Sequence, residues 1–206
     1  MKSDIVFVKD NSFYYKDNEY DFYEILEKNM SFKKLKIIIL EEELYIKEVE
    51  IKSHFGDLEK YISNKIEEIF PQNDQILYHY EKCKNKKSIY IYSVKGKEKV
   101  EKLCCECEVL DVIPIQFIMR KILNKKYAEF KALAEYDSKY YYINCCEDVF
   151  ADNYIADNIE GIYDYLNKKK LTGRIIVDEK CSCDEYYLKN LEIIKLDFVR
   201  LIYENL

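Results

Sequence analysis

Apolar and polar positions alternate in short runs along most of the chain, and stretches of helical period separate those runs. Ile5–Val8 and Phe13–Tyr15 flank the polar Asp10-Asn11-Ser12 and predict an opening hairpin. Asp21–Asn29 reads as a short helix. Leu35–Leu40 and Leu44–Ile51 predict strands on either side of Glu41-Glu42-Glu43, the second alternating Tyr45, Lys47 and Val49 with Ile46, Glu48 and Glu50. Leu58, Ile62, Ile66 and Ile69 then recur on one helical face, with Asp57 as the capping residue before them and Pro71 beyond. Gln75–Tyr80 and Ser88–Val94 predict two more strands, and in the second Ile89 and Ile91 alternate with Tyr90 and Tyr92. A helix over Lys97–Cys107, a strand over Glu108–Ile113 and a helix over Ile115–Leu123 beside Pro114 follow.

After the polar Asn124-Lys125-Lys126 the pattern starts again. Strands are predicted over Phe130–Tyr136, Lys139–Cys145 and Asp148–Ala156, then a helix over Asn158–Leu166 and a short buried strand over Arg174–Val177. A helical turn at Glu185–Asn190, a strand over Glu192–Leu196 and a helix over Val199–Asn205 complete the chain. The rhythm is that of a mixed α/β protein. It divides at the linker into residues 1–123 and 124–206, with no sequence repeat of fixed period.

Composition narrows the function. With 206 residues and 49% hydrophobic content the chain can bury a substantial core, and at 35% charged it has no apolar run of about 18 residues to cross a bilayer. Its net charge of -6 argues against nucleic acid as a partner, since a phosphate backbone attracts an excess of Lys and Arg. Only 4 Gly and 2 Pro leave little material for glycine-rich phosphate loops, where the backbone must approach the ligand without a Cβ in the way. Met1-Lys2-Ser3-Asp4 leads into a strand-like run with no apolar targeting segment, so the 8 Cys are expected to be thiols in a reducing cytoplasm.

The candidate chemistry is sparse. Cys104-x-x-Cys107 and Cys181-x-Cys183 have spacings that suit a tetrahedral metal, but Val100, Leu103, Cys104 and Cys107 also share a helical spacing that suits small buried side chains. His54 and His79 are the only imidazoles. His54, in Ser53-His54-Phe55-Gly56, reads as part of a loop, and His79 belongs to an alternating strand, so no catalytic base is assigned. Glu41-Glu42-Glu43 lacks the ligand spacing of a calcium loop and reads as a solvated connection. The 21 Tyr, including Tyr140-Tyr141-Tyr142 and Tyr186-Tyr187, suit core and interface positions better than base-stacking platforms, which come with a basic groove.

The element order resembles the cytoplasmic domains of the type II secretion protein GspL and the type IV pilus protein PilM, members of the actin-like, RNase H-like ATPase fold. The residues carrying the resemblance are Lys36–Leu40, Leu44–Ile51, the helix Leu58–Phe70, Ile76–Tyr80, Ile89–Val94, Val100–Cys107 and Val109–Pro114, then Phe150–Asn153 and Ile159–Leu166. The resemblance implies two subdomains of mixed sheet flanked by helices, residues 1–123 and 124–206, with an insertion over about residues 41–107 in the first. A nucleotide-hydrolysing member would carry an Asp-x-Gly phosphate loop at the first hairpin of each subdomain. Asp10-Asn11-Ser12 and Glu147-Asp148 lack those glycines, Gly161 and Gly173 stand alone, and no Gly-Gly follows Val177.

The resemblance therefore implies a non-catalytic scaffold without a cofactor, at the inner face of the cell membrane. It would dock a pilus or secretion assembly ATPase and an inner-membrane, PilN-like partner. Two alternatives stay open: an actin-like nucleotide-binding ATPase and a Cys-rich metal-binding module. Tyr90 and Tyr92 are the candidate partner-binding residues, expected to face solvent beside a strand edge able to pair with an extended peptide. The competing expectation is that these rings only cover their own sheet.

Overall fold

The computed structural model describes residues 3–51, 58–71, 75–83, 86–104, 107–182 and 187–206. Three strands open the chain, β1 (Asp4–Val8), β2 (Ser12–Tyr15) and β3 (Asn18–Asp21), followed by the one-turn helix α1 (Glu24–Glu27) and β4 (Lys34–Ile39). A separate block follows, comprising β5 (Tyr45–Glu50), α2 (Leu58–Ile69), β6 (Ile76–Lys82), β7 (Ser88–Lys95) and α3 (Lys97–Leu103). The chain then returns through β8 (Glu108–Pro114) and α4 (Ile115–Leu123). The remainder comprises β9 (Phe130–Tyr136), β10 (Lys139–Cys146), β11 (Val149–Ala156), α5 (Ile159–Lys169), β12 (Gly173–Asp178), β13 (Leu191–Leu196) and α6 (Phe198–Glu204).

The first sheet has the order β3-β2-β1-β4-β8 and the second the order β11-β10-β9-β12-β13. In each, three antiparallel strands form a meander and two further strands continue in parallel from its first member. The two halves thus repeat one topology, although the sequence shows no fixed period. The α-helices that close them, α4 and α6, pack against each other. One continuous core crosses between the halves, from Val6, Phe13 and Ile37 to Ala132, Tyr141 and Phe198.

Strand β3 is absent from the sequence expectations, which place a helix from Asp21. Its turn, Lys16–Asp17, holds both residues at positive φ (50° and 63°), the geometry of a two-residue hairpin, without the Gly or Asn that usually signals it. The same geometry recurs at Asp137–Ser138 and Glu147–Asp148. Helix α3 ends at Leu103 rather than Cys107, and Asp57 and Glu185 lie outside the described residues.

The block between β4 and β8 forms its own sheet, β5-β7-β6. Ile89 and Ile91 of β7 pack under Ile62 and Ile66 of α2, while Tyr90, Tyr92 and Val94 on the opposite face join the main core. Burial on both faces is what the period-2 alternation of two apolar sets produces. In the second half Asn158 caps α5 by accepting from the Gly161 N–H at 2.9 Å, which satisfies one of the N–H groups a helix start leaves free. No described helix is long and apolar enough to cross a membrane.

Candidate functional site

Two places in this architecture concentrate polar groups or open space. The first is where the leading hairpin turns of the two halves meet. Topology makes Asp137–Ser138, between β9 and β10, the counterpart of Lys9–Asn11 between β1 and β2. Glu147–Asp148, the expected second phosphate-loop position, is instead the next turn along and matches Lys16–Asp17.

At this meeting point Lys9 Nζ lies 2.8 Å from the Asp137 carboxylate and donates to the Tyr14 hydroxyl at 3.0 Å. Tyr14 donates in turn to Asp137 Oδ1 at 3.3 Å, closing a triangle across the two halves. Burial alone would lower the Lys9 pKa, but its contacts with Asp137 and Tyr14 outweigh this and hold the ammonium well above the ordinary lysine range. Asp10 is held by Lys99 of α3 at 3.0 Å, and Lys99 also reaches Glu42 at 3.0 Å.

The acidic run 41–43 keeps Glu43 exposed, as a solvated connection would, yet every member is also tied to the rest of the chain. Glu41 accepts from the Asp10 N–H at 3.2 Å, and its own N–H reaches the Tyr141 hydroxyl, also at 3.2 Å. Glu43 accepts from the Ile155 N–H at 3.1 Å, and Asn153 exchanges two hydrogen bonds with the Leu44 backbone at 2.9 and 2.7 Å.

Neither turn carries the glycine of an Asp-x-Gly loop. Lys139 stands in Asp137-Ser138-Lys139 where an Asp-x-Gly loop has glycine, and its side chain pairs with Asp157. The carboxylates of Asp10 and Asp137 are both engaged by lysines of this chain. A cleft of about 500 Å³, lined by Tyr14, Lys16 and Asp17 of the first half and Asp137 and Ser138 of the second, stays open beside these paired carboxylates.

The second place is a cleft of about 680 Å³ between β8 and α4 on one side and β6 and β7 on the other. Leu44, Leu77, Val94, Ile113 and Phe117 give it an apolar lining. Both β8 and β6 are edge strands of their sheets. The Cys83 N–H donates to Ser88 and the Gln75 carbonyl accepts from Gly96, so the odd-numbered residues of β6 bond to β7. By antiparallel alternation Ile76, Tyr78 and Tyr80 turn their N–H and C=O groups away from β7, leaving an edge that can take another strand.

Arg120 of α4 anchors the cleft. Its guanidinium donates to both Glu81 oxygens at 2.7 and 2.6 Å and to the Asp148 carbonyl at 3.1 Å. It also lies over the rings of Phe117 and Phe150, at 4.7 and 4.5 Å from their centroids. One side chain thereby joins α4, the inserted sheet and the β10–β11 turn. Burial would raise the Glu81 pKa, but hydrogen bonds from His79 and Arg120 outweigh it and bring the carboxyl down to about 2.

The structure corrects the expected exposure of the two candidate tyrosines. Tyr90 is 8% and Tyr92 1% exposed, and β7 is the central strand of its sheet, with both edges already paired. The Tyr92 ring packs edge-on against Phe117 and Phe150 at 5.3 and 5.6 Å. The exposed ring of this sheet at the cleft is Tyr78, 55% exposed. Alternation alone could not tell a one-sided sheet from one buried on both faces.

His79 lies at the cleft, 3.5 Å from Glu81, and His54 lies outside the described residues. Cys104 and Cys107 pack against the main core, whereas Cys181 is buried in the separate cluster under α5, and Cys183 lies outside the described residues. Cys145 is buried near Arg120, and burial pushes its thiol up to about 12. Tyr141 and Tyr142 are fully buried, and Tyr187 stacks on Tyr163 at 4.2 Å, while Tyr186 lies outside the described residues.

No protein-family model matches the chain, and no curated protein matches it in sequence. Solved structures do match in fold. A protein of actin-like ATPase fold and unknown function from Bacteroides thetaiotaomicron aligns over 97% of this chain and 95% of its own, with a TM-score of 0.55 at 9% identity. The PilM-PilN type IV pilus biogenesis complex aligns over 98% and 94%, with a TM-score of 0.56 at 9% identity. The cytoplasmic domain of EpsL, an inner-membrane component of the Vibrio cholerae type II secretion system, aligns over 98% and 93%, with a TM-score of 0.52 at 10% identity. The chain has the actin-like fold.

Proposed function

We propose that this chain is a non-catalytic scaffold of a type IV pilus or type II secretion assembly platform. It holds a segment of a PilN-like membrane partner at the inner face of the membrane and docks the assembly ATPase. The observation that carries the reading is the apolar cleft beside the unpaired edge of β6, which offers main-chain hydrogen bonds and side-chain pockets together. The likeness in fold to the PilM-PilN complex and to the EpsL cytoplasmic domain supports it. The paired hairpin turns favour it over the alternative of a nucleotide-driven machine.

Two measurements test the reading. Magnesium-ATP is expected to leave the melting temperature unchanged, whereas a ligand at 100 times its dissociation constant would add about 2.7 kcal/mol of stability. A magnesium-dependent rise would favour the ATPase instead. The chain is also expected to retain the cytoplasmic segment of a PilN-like protein on an affinity column. Failure to retain it, with the chain folded, would remove the docking assignment.

A further inference from the structure

The charges lining the cleft oppose those of the whole molecule, and this inference rests on the docking reading above. The chain carries a net charge of -6, yet the charged residues lining the cleft are Lys36, Arg120, Lys121 and Lys125 against Asp111 alone. Arg120 is taken by Glu81, and Lys125 donates to the neutral Asn205 side chain at 2.7 Å. Lys36 and Lys121 make no ion pair within 4 Å with any described residue, although Lys36 stands in register opposite Asp111. With Arg120 paired to Glu81, the three lysines against Asp111 leave a net two positive charges beside an apolar lining.

We propose that the cleft takes an extended, anionic peptide segment. Its backbone pairs with the outward N–H and C=O groups of β6, and its apolar side chains enter between Leu77, Val94, Ile113 and Phe117. Its Asp or Glu residues meet Lys36, Lys121 and Lys125. An extended partner is favoured over a helical one because only an extended backbone can use a strand edge. An anionic partner is favoured because three lysines at the mouth of a cleft in an otherwise acidic molecule attract negative charge and repel positive charge. The long lysine stems can also lie along the apolar lining while their ammonium groups stay hydrated.

The test uses the whole chain and two fluorescent peptides with the same alternating Val-Thr core, one flanked by Asp pairs and the other by Lys pairs. Fluorescence anisotropy is expected to show the Asp-flanked probe binding at least about tenfold more tightly at low salt. The difference should shrink between about 0.01 M salt, where the Debye length is about 30 Å, and about 1 M, where it is about 3 Å. Combining Lys36→Glu, Lys121→Glu and Lys125→Glu should reverse the preference. Tyr78→Pro should abolish binding of both probes without unfolding the chain, because it removes an outward N–H that β7 does not use.

Equal binding of the two probes would overturn the anionic assignment and leave the docking reading standing. Unchanged binding in the Tyr78→Pro variant would place the peptide elsewhere and overturn it too. Uptake of neither probe would remove the docking reading itself. If the chain then sedimented as a dimer, the occupant of the cleft would be a second copy.

Discussion

Replacing Arg120 with alanine is expected to lower the folding stability by about 3–5 kcal/mol, the loss that follows when one partner of a buried ion pair is removed. The reason is geometric. Arg120 is 8% exposed, grips Glu81 through two hydrogen bonds, caps the Asp148 carbonyl and sits over two aromatic rings. Its removal leaves the half-buried Glu81 carboxylate without its cation and opens a hole between α4 and the inserted sheet. Arg120→Lys should recover only part of the loss, because an ammonium cannot form the planar double contact. Urea denaturation gives the measurement, and a loss below about 1 kcal/mol would show that the site relaxes around the deletion.

The same pair makes stability depend on pH in one direction. The folded Glu81 carboxyl is held at about 2, below the unfolded value of about 4.3, so the folded state favours the ionised form. Its stabilisation is fully present above pH of about 4.3 and is lost as the pH falls toward about 2. Glu81→Gln should flatten stability across that window, and an unaltered acid limb in the variant would assign the acid sensitivity to other carboxylates.

The second large effect is expected at Tyr92. Tyr92→Ala should cost about 3–5 kcal/mol, as large-to-small changes at buried aromatics do. The ring packs against Phe117 and Phe150, and the hydroxyl accepts from the Phe150 N–H at 3.4 Å, so its loss opens a cavity and removes the partner of a buried donor. Tyr78→Ala, on the next strand and half exposed, should stay within about 0.5 kcal/mol of the parent. Thermal or chemical melts of the two variants side by side decide the matter. Comparable losses in both would contradict the burial described for β7.

The sequence carried most of the element pattern because apolar period and secondary-structure period coincide in it. Ile62 and Ile66 on one face of α2, the alternation in β7, and the strands either side of Asp137–Ser138 were all legible. What escaped it has a physical reason in each case. The polar strand β3 is an edge strand with no core set of its own to set a period, and its turn uses Lys-Asp where a glycine would have signalled it. Sequence alone does not place the second leading hairpin, because the consecutive turns Asp137–Ser138 and Glu147–Asp148 share one geometry and only pairing tells which is topologically first.

The cleft itself was beyond sequence reasoning. Its lining comes from strands and a helix far apart in the chain, and the edge strand that opens it is identified by the pairing it lacks. The helical pattern of α4 assigns Arg120 no role. Arg120 and Lys121 stand together between Met119 and Ile122, and an arginine on a buried face must find a partner.

The placement of the insertion also shapes how the chain reaches its fold. β9, β10 and β11 are joined by two-residue turns, so the second meander can zip from neighbour to neighbour. β8 pairs with β4 only after residues 40–107 have been gathered out of the way, and closing so long a loop carries an entropic cost before any contact rewards it. Closure of the first sheet by β8 is therefore expected to lag behind the second meander. In pulse-labelling hydrogen exchange during refolding, amides of β10 should gain protection ahead of those in β4 that face β8, and the opposite order would show that the insertion condenses first and hands β8 to a sheet already formed.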